Sequence, residues 1–317
     1  MATIANILLG LYVVALIYIM VFCLMQFHLL YHYRKNAEVS SEDFEDTKDE
    51  DLPFVTIQLP IYNELYVVER LIDNIAKFDY PKDKYEIHIL DDSTDETVQI
   101  ALAKVEEYKA KGFNIEHITR SNRVGYKAGA LKEGIKFAKG KFLAIFDADF
   151  LPNPDFLRQT IPHFADEKVG VVQTRWEHIN EDYSLITRLQ AFQLNVHFTV
   201  EQMGRYNADY LLQFNGTAGI WRIECITDAG GWEADTLTED LDLSYRAQFK
   251  GWKITFLEDI TSPAELPAEM NGLKSQQHRW MKGGADTAVK LLPTVWKSNI
   301  SLGQKIHATS HLLSSSI

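Results

Sequence analysis

From Met1 to Tyr33 the chain contains no Asp, Glu, Lys or Arg, and this run restricts the fold more than any other feature. A bilayer core takes about 20 apolar residues as helix, and positions 4–30 supply them. Buried core helices rarely run this long without charge. A secretory leader would need a basic start, a shorter apolar core and a small-residue cleavage site, and none is evident. Residues 1–33 are therefore expected to form a transmembrane helix. Arg34 and Lys35 follow it, and only the terminal amine precedes it. An excess of basic residues marks the cytoplasmic side of a span, so the rest of the chain is expected in the cytoplasm. Tyr12, Tyr18, Tyr31 and Tyr33 are candidate interfacial anchors.

Residues 34–52 read as a solvated acidic linker, because between Glu38 and Asp51 Lys48 is the only basic residue. The 317 residues are 46% hydrophobic, enough for one large or two medium domains with a real core. The net charge of -12 argues against a nucleic-acid partner held by bulk charge. Cys23 and Cys225 are the only cysteines, which excludes a disulfide framework or a zinc-type spacing.

Beyond the linker, strand and helix patterns alternate. Strands are expected over 54–59, 85–90, 114–118, 141–146 and 169–173, and helices over 64–78, 95–111 and 126–138. Such alternation predicts an α/β fold with a mostly parallel sheet covered by helices on both faces. The second half is less regular. Helices are expected over 183–205, 237–249 and 270–292, and short strands over 211–214 and 252–257. Residues 293–317 show no clear period and read as an interfacial segment or the start of a membrane region. The chain stops at Ile317 with no obvious cap, so a longer natural chain is expected.

In open parallel sheets, ligands sit at the carboxyl ends of the strands. Two expected strands run there into paired acids, Asp91-Asp92 and Asp147-Ala148-Asp149. Mg²⁺ or Mn²⁺ takes oxygen ligands, usually one or two carboxylates plus substrate phosphates. Either pair alone reads equally well as a solvated turn; the two at one sheet edge favour a metal and phosphate site. Other phosphate chemistries fit less well. Gly125 to Gly129 is no dinucleotide fingerprint, and 134–141 misses the P-loop spacing, with Phe142 where Ser or Thr belongs. An aspartyl-phosphate phosphatase usually has Thr or Val where this chain has Leu151.

Asp240 lies at the start of an expected helix, where the macrodipole favours an ionised carboxylate by roughly 0.3–1 kcal/mol. That would keep it charged and make it a slightly weaker base. Thr236 and Glu239 have capping-box spacing, which leaves Asp240 less explained by structure. Further on come Gln276-Gln277-His278-Arg279-Trp280. An Arg can fork onto phosphate oxygens, and a Trp offers a broad face to a sugar ring. Alone, this cluster is an ordinary amphipathic helix surface.

In combination these residues resemble the processive inverting glycosyltransferases of family 2, the cellulose-synthase-like group. The resemblance covers roughly 53–296. It rests on Leu59-Pro60-Ile61-Tyr62-Asn63-Glu64, Asp91-Asp92-Ser93, Asp147-Ala148-Asp149, Thr238-Glu239-Asp240 and Gln276 to Trp280. The stretches 172–176, 214–219 and 265–267 look most similar to the branch making mannan and xyloglucan-type glucan backbones. The resemblance implies a GT-A-type catalytic domain over 53–292. It also implies that Tyr62, Glu64, Asp91 and Asp92 hold the nucleoside and that Lys127 approaches the diphosphate. Asp147 and Asp149 would bind the nucleotide and a divalent metal, and Asp240 would be the general base. Glu239, Gln276 and Trp280 would line the acceptor end, and Arg279 would steady the diphosphate. The expected reaction moves a hexose from a nucleotide-sugar, UDP-glucose ahead of GDP-mannose, onto a growing β-linked polysaccharide. Transfer to a lipid acceptor, ceramide-glucosyltransferase-like, is the alternative, and a non-catalytic nucleotide-sugar-binding protein is the third reading.

Overall fold

The computed structural model describes residues 2–35 and 47–314; most of the expected acidic linker, at 36–46, lies outside the described residues. One seven-stranded sheet organises the chain. Its strands are β1 (Val55–Ile61), β2 (Tyr85–Asp91), β3 (Ile115–Thr119), β4 (Phe142–Ile145), β5 (Val169–His178), β6 (Gly219–Arg222) and β7 (Lys253–Ala264), in the order β3-β2-β1-β4-β6-β5-β7. All described pairings are parallel except those of β6, which runs antiparallel between β4 and β5. The mostly parallel sheet expected from the alternation is the one observed.

The helices are α1 (Ala2–Lys35), α2 (Val68–Ile75), α3 (Thr97–Ala110), α4 (Tyr126–Gly134), α5 (Phe156–Thr160), α6 (Leu185–Val196), α7 (Met203–Asn207), α8 (Ile223–Asp228), α9 (Glu239–Phe249), α10 (Met270–Lys297) and α11 (Leu302–Leu313). Successive side chains of a strand face opposite sides, and β4 uses both. Phe142 and Ala144 join Leu71, Ile72 and Val105 of α2 and α3, whereas Leu143 and Ile145 join Leu131, Ile226 and Leu243 of α4, α8 and α9. A third apolar cluster ties α9 to α10 and α11 through Leu241, Tyr245, Leu291, Val295 and Leu312. Full burial of each such aliphatic side chain contributes about 1.5–3 kcal/mol.

Three expectations in the second half differ from the structure. Residues 211–214 are not a strand. Their amides bond side chains of α9 instead, Leu212 N to Gln248 Oε1 at 2.9 Å and Phe214 N to Ser244 Oγ at 2.8 Å. The antiparallel strand lies five residues later, at β6. The helix expected over 183–205 is interrupted, with a π-helical segment His197–Gln202 between α6 and α7. Finally, the region after 293 is helical: α10 continues through Pro293 to Lys297, and α11 is opened by a Ser301/Gln304 capping box. The buried face of α11 carries His307, Ala308, His311 and Leu312. Two histidines in the apolar stripe hide its period.

α1 is long and apolar enough to cross a membrane, and its side chains are largely exposed as far as His28. Its far end packs against α7. A Cβ on Gly204 would lie 2.7 Å from the Leu29 carbonyl, so a glycine is required where α7 crosses α1. Tyr33 donates to Glu258 at 3.2 Å, and Tyr18 donates to the Leu313 carbonyl at 2.8 Å.

Candidate active site

β1, β2 and β4 run parallel, so their carboxyl ends share one edge of the sheet. Asp147 lies just beyond β4, its amide donating to Thr217 Oγ1 at 2.9 Å. Lys127, in the first turn of α4, donates to Asp147 Oδ1 at 2.5 Å and to the Gly216 carbonyl at 2.9 Å. Gly216 has φ +81°, and a Cβ there would sit 3.0 Å from Asp240 Oδ2 and 3.6 Å from Lys127 Nζ. Only glycine satisfies both demands. Lys127, Asp147, Asp240 and the Gly216 backbone therefore meet at one point.

This point is short of positive charge. Burial works to lower the Lys127 pKa, but Asp147, Glu239 and Asp240 outweigh it and hold the ammonium above its ordinary value. Burial, and then the charges of Asp147 and Glu64, push Asp149 up to about 7. Glu64 is raised by burial, Asp147 and Asp95. Neither Asp149 nor Glu64 makes an ion pair among the described residues. Hard carboxylate oxygens with an unmet need for a cation are what Mg²⁺ or Mn²⁺ requires, so Asp147 and Asp149 fit the expected metal, with Glu64 nearby.

α9 delivers Glu239 and Asp240 in its first turn. The capping box expected at Thr236 and Glu239 is not formed. Thr238 occupies the N-cap without a side-chain cap, and its hydroxyl pairs with Thr287 at 2.9 Å. Asp240 Oδ1 instead accepts from the Leu241 amide at 2.8 Å. That bond lowers its pKa, yet burial is the larger effect and the net shift is upward. Glu239 is likewise raised by burial and by the charge of Asp240. The expectation of a weakened base thus reverses, because desolvation outweighs the helix terminus.

Asp91 and Asp92 are differently placed. Asp91 is buried, accepting from the Ser93 amide at 2.8 Å and lying 2.8 Å from His117 Nε2. Its carboxylate is held in the interior by these two contacts. Asp92 is clasped by Arg120 at 2.6 and 2.5 Å. The Arg123 guanidinium lies 3.1 Å from the Tyr62 ring centre, so Tyr62 and Asp92 border a shared arginine-rich corner.

On the other side of Asp240 opens a cavity of about 510 Å³, walled by Trp176, Phe192, Leu241, Trp280 and Met281 with His197 and Asn215 as polar members. Trp280 thus shares a cavity with Asp240. Gln276 is half-buried one turn away on α10, and Arg279 is exposed, without an ion pair among the described residues. Sequence reasoning missed the supports. Gln173, buried in β5, donates to the carbonyls of Thr174, Thr217 and Ala218 and accepts from the Asn215 amide, which fixes the 215–218 loop. Its signal was a polar residue ending the apolar run of β5.

The model of the glycosyltransferase like family 2 matches residues 53–283. Glucomannan 4-beta-mannosyltransferase 1 of Oryza sativa subsp. japonica is 42% identical over 261 residues, 80% of this chain and 50% of the relative. Glucomannan 4-beta-mannosyltransferase 2 of Arabidopsis thaliana is 44% identical over 255 residues, 79% and 48% respectively. The chain spans about half the length of these relatives. A mannosyltransferase from Pyrobaculum calidifontis, solved in complex with GDP-Man and Mn²⁺, shares the fold with TM-score 0.71 at 23% identity, covering 93% of this chain and 80% of that one. S. aureus TarS 1-349 in complex with UDP-GlcNAc shares it with TM-score 0.59 at 19% identity, covering 83% and 72%.

Proposed function

We propose a reaction from one premise: this chain belongs to glycosyltransferase family 2, in its cellulose-synthase-like group. The reaction is inverting transfer of a hexose from a nucleotide-sugar to a β-linked glycan. The observation that carries it is Asp240, which stands between the Lys127–Asp147 contact and an aromatic-walled cavity. The preference for UDP-glucose finds no support among the relatives. Those cited bear mannosyltransferase names, and the archaeal structure holds GDP-Man, so GDP-mannose is the donor we favour, with a mannan or glucomannan chain as acceptor.

Asp240 takes the proton of the acceptor hydroxyl as that oxygen attacks the anomeric carbon and the glycosidic bond to the diphosphate breaks. Its raised pKa makes it the stronger proton acceptor. Asp147 and Asp149 would hold the divalent cation, and a cation there would neutralise charge developing on the leaving diphosphate. Lys127 adds a fixed positive charge at the same place. Trp280 and Trp176 would face the acceptor sugars, with Glu239 and Gln276 nearby. Tyr62, Asp92 and Glu64 would serve the nucleoside side, and Arg279 would reach the diphosphate only after moving inward from its exposed position. An α-linked donor gives a β-linked product.

We assign 1–33 as anchor, 34–52 as linker and 53–292 as the catalytic domain, with 293–314 extending it towards the anchor helix. Arg34 and Lys35 favour a cytoplasmic catalytic domain. The deciding experiment is a thermal-shift screen of GDP, UDP and their sugars with and without Mn²⁺, since a ligand that binds only the folded state raises its stability with occupancy. GDP-mannose should give the largest Mn²⁺-dependent shift, followed by mannose incorporation into a mannan oligosaccharide. A larger UDP-glucose shift would return the donor assignment to glucose, and a single-sugar glycolipid product would favour the lipid-acceptor reading.

A further inference from the structure

Away from the reacting groups, Glu233, Asp235 and Asp242 bring carboxylate oxygens within 4.8 Å of one another. The Lys290 ammonium already sits among them, 2.6 Å from Glu233, 2.8 Å from Asp235 and 3.0 Å from Asp242. Asp242 is fully buried and pairs its Oδ2 with Arg246 at 2.7 Å. Its Oδ1 accepts no well-aligned hydrogen bond, so that oxygen depends on Lys290. Arg246 also donates to the carbonyls of Ala229 and Gly231. One lysine of α10 therefore binds both the 229–238 segment and α9.

The neighbouring contacts form a register. Gly283, Thr287 and Lys290 are four and three residues apart and share one face of α10. A Cβ on Gly283 would lie 2.6 Å from Thr238 Cγ2 and 2.9 Å from the Thr238 amide nitrogen. Thr287 pairs with the Thr238 hydroxyl. The other side of the 229–238 segment lies against the donor end, since a Cβ on Gly125 would come 2.8 Å from Ala234 Cβ. Gly125 opens α4, which carries Lys127. The acid cluster and its lysine thus touch the helix of Asp240, the helix of Trp280 and the strap that reaches α4.

We propose that Lys290 is a positioning residue. Its ammonium locks the strap and α9 against α10, and so fixes the spacing between Trp280 and Asp240 across the acceptor cavity. The inference rests on the roles given to Asp240 and Trp280 above. These ion pairs join the elements that carry Asp240 and Trp280, and a misplacement of about 1 Å in a site can lower the rate about a hundredfold.

The test uses the full chain in detergent or nanodiscs, with Lys290→Met, Lys290→Arg and the double variant Glu233→Gln/Asp235→Asn. Lys290→Met should lower kcat/KM for transfer to a mannan oligosaccharide by about a hundredfold. The ratio of GDP-mannose hydrolysis to transfer should rise, GDP affinity should stay within about twofold, and Lys290→Arg should restore most of the loss. A folded Lys290→Met with wild-type acceptor KM and hydrolysis ratio overturns the proposal. Should that variant fail to fold, the double variant, which alters the outer carboxylates, decides by the same readouts. If the wild type transfers nothing, or Asp240→Asn transfers normally, the functional reading has failed, and amide exchange decides the positioning role separately. Faster exchange in Lys290→Met confined to 237–243 and 280–287 supports it, and unchanged exchange there overturns it.

Discussion

Two pairs of aspartates end strands at the same sheet edge, and their surroundings are opposite. Asp91 and Asp92 each have an internal partner, His117 with the Ser93 amide for one and Arg120 for the other. Asp147 pairs with the Lys127 ammonium, while Asp149 and Glu64 stand beside Asp147 without an ion pair among the described residues. In the first pair the fold supplies the compensating groups. In the second it leaves the charge unmet, which is the state a divalent cation and a diphosphate can complete. For a divalent cation, a carboxylate at a strand's end becomes a candidate ligand where the fold leaves charge unmet around it, whatever its spacing in sequence.

The largest expected effect lies downstream of the second pair. Asp240→Asn removes the proton acceptor and should lower transfer by about 10²–10⁴-fold, while GDP binding in Mn²⁺ remains. Near-normal turnover in that variant would remove Asp240 from the role of base.

Matched variants in each pair should respond in opposite ways. Asp91→Asn withdraws the charge from a buried, hydrogen-bonded carboxylate and should lower stability by about 1–3 kcal/mol, with metal-dependent donor binding retained. Asp149→Asn should act oppositely. A carboxyl raised from 3.8 to about 7 holds more protons folded than unfolded, so its contribution to stability is present at low pH and is lost as pH rises through about 7. At pH 8 in chelator, the asparagine variant should therefore melt higher than the parent and lose the stabilisation by Mn²⁺ and GDP-mannose. If both variants lose metal-dependent donor binding equally, the two pairs do not differ as described. A donor titration indifferent to both Asp149→Asn and chelator would remove the metal role.

The sequence made the frame of the first half legible because each strand and helix there has a clean period and its own stop signal. Strands 85–90 and 114–118 lie within one residue of β2 and β3. The second half was less legible where side chains replace backbone partners. Residues 211–214 look like a strand, but their amides are claimed by Gln248 and Ser244. The location of the acids was legible as well, whereas their chemical state was not. Asp91 and Asp149 read alike until His117, 26 residues away in sequence, is seen beside Asp91 with no equivalent beside Asp149 among the described residues. Gly216 and Gln173 escaped notice as supports because their demands come from Asp240 and the 215–218 loop, which only the folded chain brings to them.

The smallest effect applies the same contrast to a histidine. His178 is buried with no hydrogen-bond partner for either ring nitrogen among the described residues, and burial pushes it down to about 4. His307, on α11, is pushed to about 4 by burial and the charge of His28. Each binds a proton more readily unfolded than folded, so stability is full above about 6.5 and is lost as pH falls towards 4. Each should contribute at most about 1.4 kcal/mol per pH unit in that window. The paired His117 offers no such shortage of partners. The melting temperature in detergent should accordingly fall between pH 6.5 and 5, and His178→Leu, which has no proton to gain, should flatten that slope. An unchanged slope in the leucine variant would mean that His178 finds a partner the fold does not show, and the link between withheld partners and titration would then hold for the carboxylates alone.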